Sequence, residues 1–133
     1  MWEQPDPGDI VWCRFPHRPR DAPGPKPRPA LVISIVEHDD GVTIQVAYGT
    51  SQKTDRLVSG EFAIRKAENK ASYAMAGLSY DTKFNLRNIV ELPWNDSFFA
   101  VPPDSRYGQT PKLGSLHIGM RKALEAAARA VRK

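Results

Sequence analysis

The chain has 133 residues, enough for one ordinary domain with its own core and too few for two. At 41% hydrophobic, 26% charged and a net charge of +4 it has the composition of a folded globular protein, and one cysteine excludes an internal disulfide. No run nears the ~18–20 apolar residues of a membrane span, and "MWEQPDPGD" lacks the basic-then-apolar pattern of a secretory signal. No membrane partner is therefore expected, and the expected compartment is the reducing cytoplasm.

In chain order, "GDIVWCRF" (8–15) is rich in β-branched and aromatic residues, is bounded by Pro7 and Pro16, and reads as a strand. Cys13, inside it, reads as a packing residue with no partner for nucleophilic catalysis. Residues 16–29 hold six of the twelve prolines. Proline fixes φ and removes the amide donor, so this segment is a long, stiff, basic loop. "ALVISIVE" is a continuous apolar run, as expected of a strand buried on both faces. "HDDG" supplies a turn, placed at Asp40-Gly41, and "VTIQVAYG" alternates cleanly, so residues 30–48 are predicted to form a hairpin.

"TSQKTDR" is loop-like, "GEFAIRKA" a fourth strand, and "ENKASYAMAGLSYD" is open between a short helix and irregular structure. "TKFNLRNIVELPW" is a further strand, with Phe84, Leu86, Val90 and Leu92 predicted on one face. Pro102, Pro103 and Pro111 mark an extended connection. Leu116, Met120, Ala123, Leu124, Ala127 and Val131 then recur at helical spacing, predicting a C-terminal helix over about 115–132 with Ser115 as N-cap. The expected architecture is a single domain over 1–133, mainly β with a C-terminal helix (α+β), a small barrel or curled sheet.

Charge is uneven. Arg14, Arg18, Arg20, Lys26 and Arg28 cluster around a single acid, Asp21, and from residue 106 onward Glu125 is the lone acid. Such an imbalance suits a polyanion or an acidic protein segment, and equally a solvated surface.

"PGDIVWCRF" followed by "KPRPALVIS" resembles the start of the MazF/PemK family of toxin–antitoxin ribonucleases. There a "GD-V-W/Y" strand leads through a basic loop to "RP-LV-I/V-S". "VAYGTSQ" falls where that family ends its next strand with Thr or Ser, and "GLSYDTKFNLRNIVELP" is loosely similar to a later strand region. The resemblance implies an SH3-like, strongly bent β-barrel, usually a homodimer, held in check by a cognate antitoxin. It also implies cleavage of single-stranded RNA without a metal or other cofactor. Carried over by position, the centre would comprise Arg28 and Thr50, with Ser51 as the neighbouring hydroxyl.

Those residue types make chemical sense. RNA carries its own nucleophile, so an enzyme need only deprotonate the 2′-OH, stabilise the phosphorane and protonate the 5′-oxygen. A guanidinium grips two phosphate oxygens and stays charged. Prolines on both sides of Arg28 would reduce the entropy lost in presenting it. Read alone, Arg28 is equally a surface arginine paired to an acid, and Thr50 and Ser51 are turn residues.

Relatives often carry an acid shortly before the "RP" arginine; only Asp21 is available here. Where some place an arginine and an aspartate two apart on the later strand, this chain has Asn85 and Arg87. The general base and acid are thus unassigned. His17 is a candidate, its intrinsic pKa suiting proton transfer near neutrality, against the plainer reading of a loop histidine. His117 reads as structural. Arg14, Arg18, Arg20, Lys26 and Arg87 are candidate RNA contacts, and Trp12, Phe15 or Tyr48 could stack a base. The three histidines are scattered, there is no CxxC or HExxH, and no metal site is predicted. The missing acids keep open a catalytically silent SH3-like module that binds RNA or an acidic peptide, and a protein-interaction domain without a nucleic-acid role.

Overall fold

The computed structural model describes residues 2–17 and 21–132. Its strands are β1 Asp9–Cys13, β2 Arg28–His38, β3 Gly41–Thr50, β4 Glu61–Ile64, β5 Thr82–Pro93 and β6 Lys112–Ser115. They form one antiparallel sheet in the order β4-β5-β3-β2-β1-β6. Helix α1 spans Lys70–Met75, a 3-10 turn spans Ile118–Met120, and helix α2 spans Arg121–Val131. The fold is mainly β with a C-terminal helix, an SH3-like bent barrel whose edge strands β4 and β6 are not joined.

The sheet is buried on both faces, which is why β2 opens on a continuous apolar run. Ile10, Leu31, Ala47, Phe84 and Leu86 face Ala76, Met120 and Ala127 of the helical layer. Val11, Ala30, Val32, Val46 and Leu92 face Phe99 and the partly buried Trp94 on the other side. Neighbouring residues such as Ile10 and Val11 thus serve different cores, as the pleat requires.

Bulges supply the bend. One interrupts β2–β3 pairing between Val32 and Ser34. A larger one interrupts β3–β5: Ala47 pairs with Ile89 but Tyr48 with Asn85, leaving residues 86–88 unopposed. Three extra residues reverse the phase of alternation. Phe84 and Leu86 therefore join the helical-side core while Val90 and Leu92 join the other, not the single face that alternation predicts.

The hairpin closes with His38 opposite Gly41, so the loop is Asp39-Asp40 and Gly41 already belongs to β3. The C-terminal segment also differs from its periodicity. Ser115 is not a helix cap but the last residue of β6, its hydroxyl donating to Asp9 Oδ1 at 3.3 Å. His117 caps the 3-10 turn instead, its Nδ1 accepting the Gly119 amide at 2.8 Å. Strand β6 is short and contains glycine, so no alternation announces it; pairing with β1 creates it.

Candidate active site

Arg28 is the first residue of β2 and pairs with Cys13, the last of β1. The β2–β3 pairing ends with Ala30 opposite Tyr48, so Arg28 and Thr50 each lie two residues beyond it, where the two strands approach closely. Gly49 makes this approach possible, because a Cβ there would overlap the Pro29 carbonyl oxygen. The hairpin thus carries the guanidinium and the hydroxyls to one end of the sheet.

That end opens into a cleft of about 450 Å³. Trp12, Arg28 and Pro29 form one wall, with Ser51 beside them. Ser79 and Tyr80, and Pro102, Pro103 and Asp104, also line it. Ser79 and Tyr80 follow a backbone-on-backbone contact: Gly77, at φ +69°, lies against the Leu113 carbonyl, where no Cβ would fit. Tyr80 is 73% exposed, so its ring is presented to solvent.

The one hydrogen bond Arg28 makes among the described residues is from Nη1 to the Pro27 carbonyl at 3.2 Å. It has no ion pair there, so it is not the acid-paired strand-entrance arginine of the plainer reading. A guanidinium has five N–H donors, and most of these remain for a ligand. Thr50 Oγ1 accepts the Gln52 amide at 3.1 Å, which is turn chemistry, yet its own hydrogen is left to donate.

The remaining candidates lie elsewhere. His17 is exposed and folded onto Gly24 of its own loop, which closes through the Gly24 amide donating to the Arg14 carbonyl at 3.1 Å. Arg14 reaches the Asp96 carbonyl at 3.5 Å, and Lys26 is exposed two residues before Arg28. Arg87 does not line the cleft; it donates to Ser59 O at 2.9 Å, Ser59 Oγ at 3.0 Å and Ala130 O at 3.2 Å. Arg18 and Arg20 lie outside the described residues. Of the stacking candidates, Phe15 is buried against Tyr48, ring centroids 5.1 Å apart, whereas Trp12 lines the cleft. Cys13 is fully buried, and burial pushes its thiol far up from the ordinary range, so it is no nucleophile. Among the described residues no three His, Cys, Asp or Glu side chains converge.

Ser79 and Tyr80 fall within "GLSYDTKFNLRNIVELP" but are not singled out there as site residues, and Asp104 carries no local motif. Only the Pro-Pro dipeptide before Asp104 hints at a rigid presentation.

Residues 6–93, spanning β1 to β5, match the family model described as PemK-like, MazF-like toxin of type II toxin–antitoxin system. The chain belongs to this family. No curated protein matches it. In this PemK/MazF-family chain the matched region supplies Trp12, Arg28, Ser51 and Tyr80, while Asp104 and Leu113 come from the segment beyond it. Membership makes the protein a type II toxin by family and implies an antitoxin partner. None of its described helices is long and apolar enough to cross a membrane.

Proposed function

We propose that this toxin is an endoribonuclease that cleaves single-stranded RNA through the RNA's own 2′-hydroxyl. It needs no metal and leaves 2′,3′-cyclic phosphate and 5′-hydroxyl ends. The observation that carries the reading is the guanidinium of Arg28, without an ion pair among the described residues, lining an open cleft shared with Ser51 and Trp12.

Arg28 would bind two oxygens of the scissile phosphate and stabilise charge as the phosphorane forms. Removing one such donor typically costs about 3–4 kcal/mol of transition-state stabilisation, roughly 10²–10³ in rate. The Thr50 or Ser51 hydroxyl would donate to a non-bridging oxygen. Trp12 and the exposed Tyr80 offer faces for unstacked bases, each worth roughly 1–3 kcal/mol. Arg14 and Lys26 would add positive charge in the sequence before Arg28; Arg18 and Arg20 lie outside the described residues. An acidic or amphipathic antitoxin segment would compete for the same cleft, and the toxin would act in the cytoplasm as a homodimer.

The test is incubation with single-stranded RNA in EDTA beside an all-2′-deoxy copy. Cleavage of the RNA alone, lost in Arg28→Ala with an unchanged melting curve, supports the reading. Binding without cleavage would replace it with a silent RNA-binding module, and Arg28→Ala cutting at the parent rate would remove Arg28 from the site.

A further inference from the structure

The ribonuclease reading leaves the 2′-hydroxyl without a proton acceptor. Asp21, the lone acid of the basic loop, does not line the cleft. Asp104 does, and it is the one carboxylate among the described lining residues.

Its position is built from both sides. The Ala100 amide donates to the Trp12 carbonyl at 3.1 Å, and the Trp12 amide donates to the Pro111 carbonyl at 2.8 Å. The segment 100–111 therefore leaves and returns at one residue of β1, next to Cys13, the partner of Arg28. Arg106 Nη1 donates to the Ala74 carbonyl at 3.0 Å, in the last turn of α1. That turn leads directly into the wall bearing Ser79 and Tyr80. Between these anchors Pro102, which is buried, and Pro103 fix the backbone just ahead of Asp104. Asp104, exposed at this loop tip, thereby lines the same cleft as Arg28.

Resting on the ribonuclease reading, the geometry points to Asp104 as the general base of the reaction and to Arg106 as the residue that positions it. The Asp104 carboxylate accepts the 2′-hydroxyl proton as the 2′-oxygen bonds to phosphorus. The resulting phosphorane, its charge met by Arg28, breaks the bond from phosphorus to the 5′-oxygen. That oxygen takes a proton from water, and the hydroxide formed removes the proton held by Asp104, so the carboxylate is restored and no other reactant is consumed. Both residues lie beyond the matched span 6–93.

Cleavage of a single-stranded RNA oligonucleotide by the parent, Asp104→Asn, Asp104→Glu and Arg106→Ala would test this. Melting curves and affinity for the all-2′-deoxy copy would be measured beside the pH–rate profiles. Asp104→Asn is expected to lose about 10²–10⁴-fold in rate, the range for a general base. It should keep its melting curve and deoxy affinity, and its rate should no longer fall toward acid pH. Asp104→Glu should restore part of the rate and the acidic limb; Arg106→Ala should slow cleavage while keeping that limb. Asp104→Asn cutting at the parent rate, or slowing with the acidic limb intact, would overturn the assignment and leave the ribonuclease reading standing. A parent protein that binds RNA without cutting it would overturn both.

Discussion

Lys83 Nζ lies 3.0 Å from Glu61 Oε1, with only 10% and 8% of the two side chains exposed. The same ammonium donates to the Arg56 carbonyl at 3.0 Å, and Lys83 pairs with Thr50 in the sheet. One buried charge thus ties β4 to β5 and anchors the turn that follows Thr50. Lys83→Met should cost about 3–5 kcal/mol by stranding Glu61, and adding Glu61→Leu should recover most of it. Denaturant unfolding of the two variants and the parent is the check.

Gly49→Ala should be costly for a different reason. The new methyl meets the Pro29 carbonyl, which is backbone and cannot swing aside. A loss of about 1–3 kcal/mol is expected, as for other overpacked sites. Because the clash involves Pro29 and Gly49, the chain neighbours of Arg28 and Thr50, the proposed RNA cleavage should fall further than stability alone explains. The single-turnover rate at a temperature where the variant is fully folded measures this.

Arg87 joins Ser59 to the C-terminal end of α2 through three hydrogen bonds. These are solvent-exposed, so Arg87→Ala should destabilise by only about 1 kcal/mol. RNA affinity should change little, and its salt dependence should stay as in the parent. A phosphate-gripping arginine would instead lower the salt slope by about 0.7 on single strands.

Glu91 supplies a pH dependence. Thr43 donates to Glu91 Oε2 at 2.6 Å and His38 Nε2 lies 3.4 Å away, holding the carboxyl below its usual range, chiefly through the Thr43 bond. Because folding lowers this pKa, the associated stabilisation is fully present above the unfolded value of about 4.3. It is lost as pH falls through the folded value below it. Carboxyl NMR titration should show Glu91 moving up toward the ordinary range in Thr43→Val.

Cys13 should resist alkylation. Its full burial raises the thiol pKa, so at pH 8 almost no thiolate is present or reachable. Iodoacetamide labelling should follow global unfolding, accelerating in denaturant; rapid labelling of the folded protein would contradict the burial.

Local features were readable. The alternation of β3, the double-sided burial of β2 and the proline-rich approach to Arg28 are properties of adjacent residues, and the hairpin joining β2 to β3 brings Arg28 and Thr50 to one end of the sheet without help from elsewhere. The rest of the cleft was not readable, because its parts meet through partners distant in sequence. Tyr80 and Ser79 join Arg28 in the cleft since Gly77 packs against Leu113, and Asp104 arrives because Trp12 binds both ends of its segment. The three unopposed residues of β5 likewise defeat simple alternation.

By itself, then, the sequence determined a mainly β chain of PemK/MazF kind with an arginine fenced by prolines beside a hydroxyl. Short-range periodicity and turn chemistry encode those features directly. Tertiary structure alone decided that Arg28 goes unpaired among the described residues, that Arg87 braces α2, and that Asp104 faces the cleft. Each of these depends on strand register and backbone contacts between distant segments, which the local order of residues does not encode.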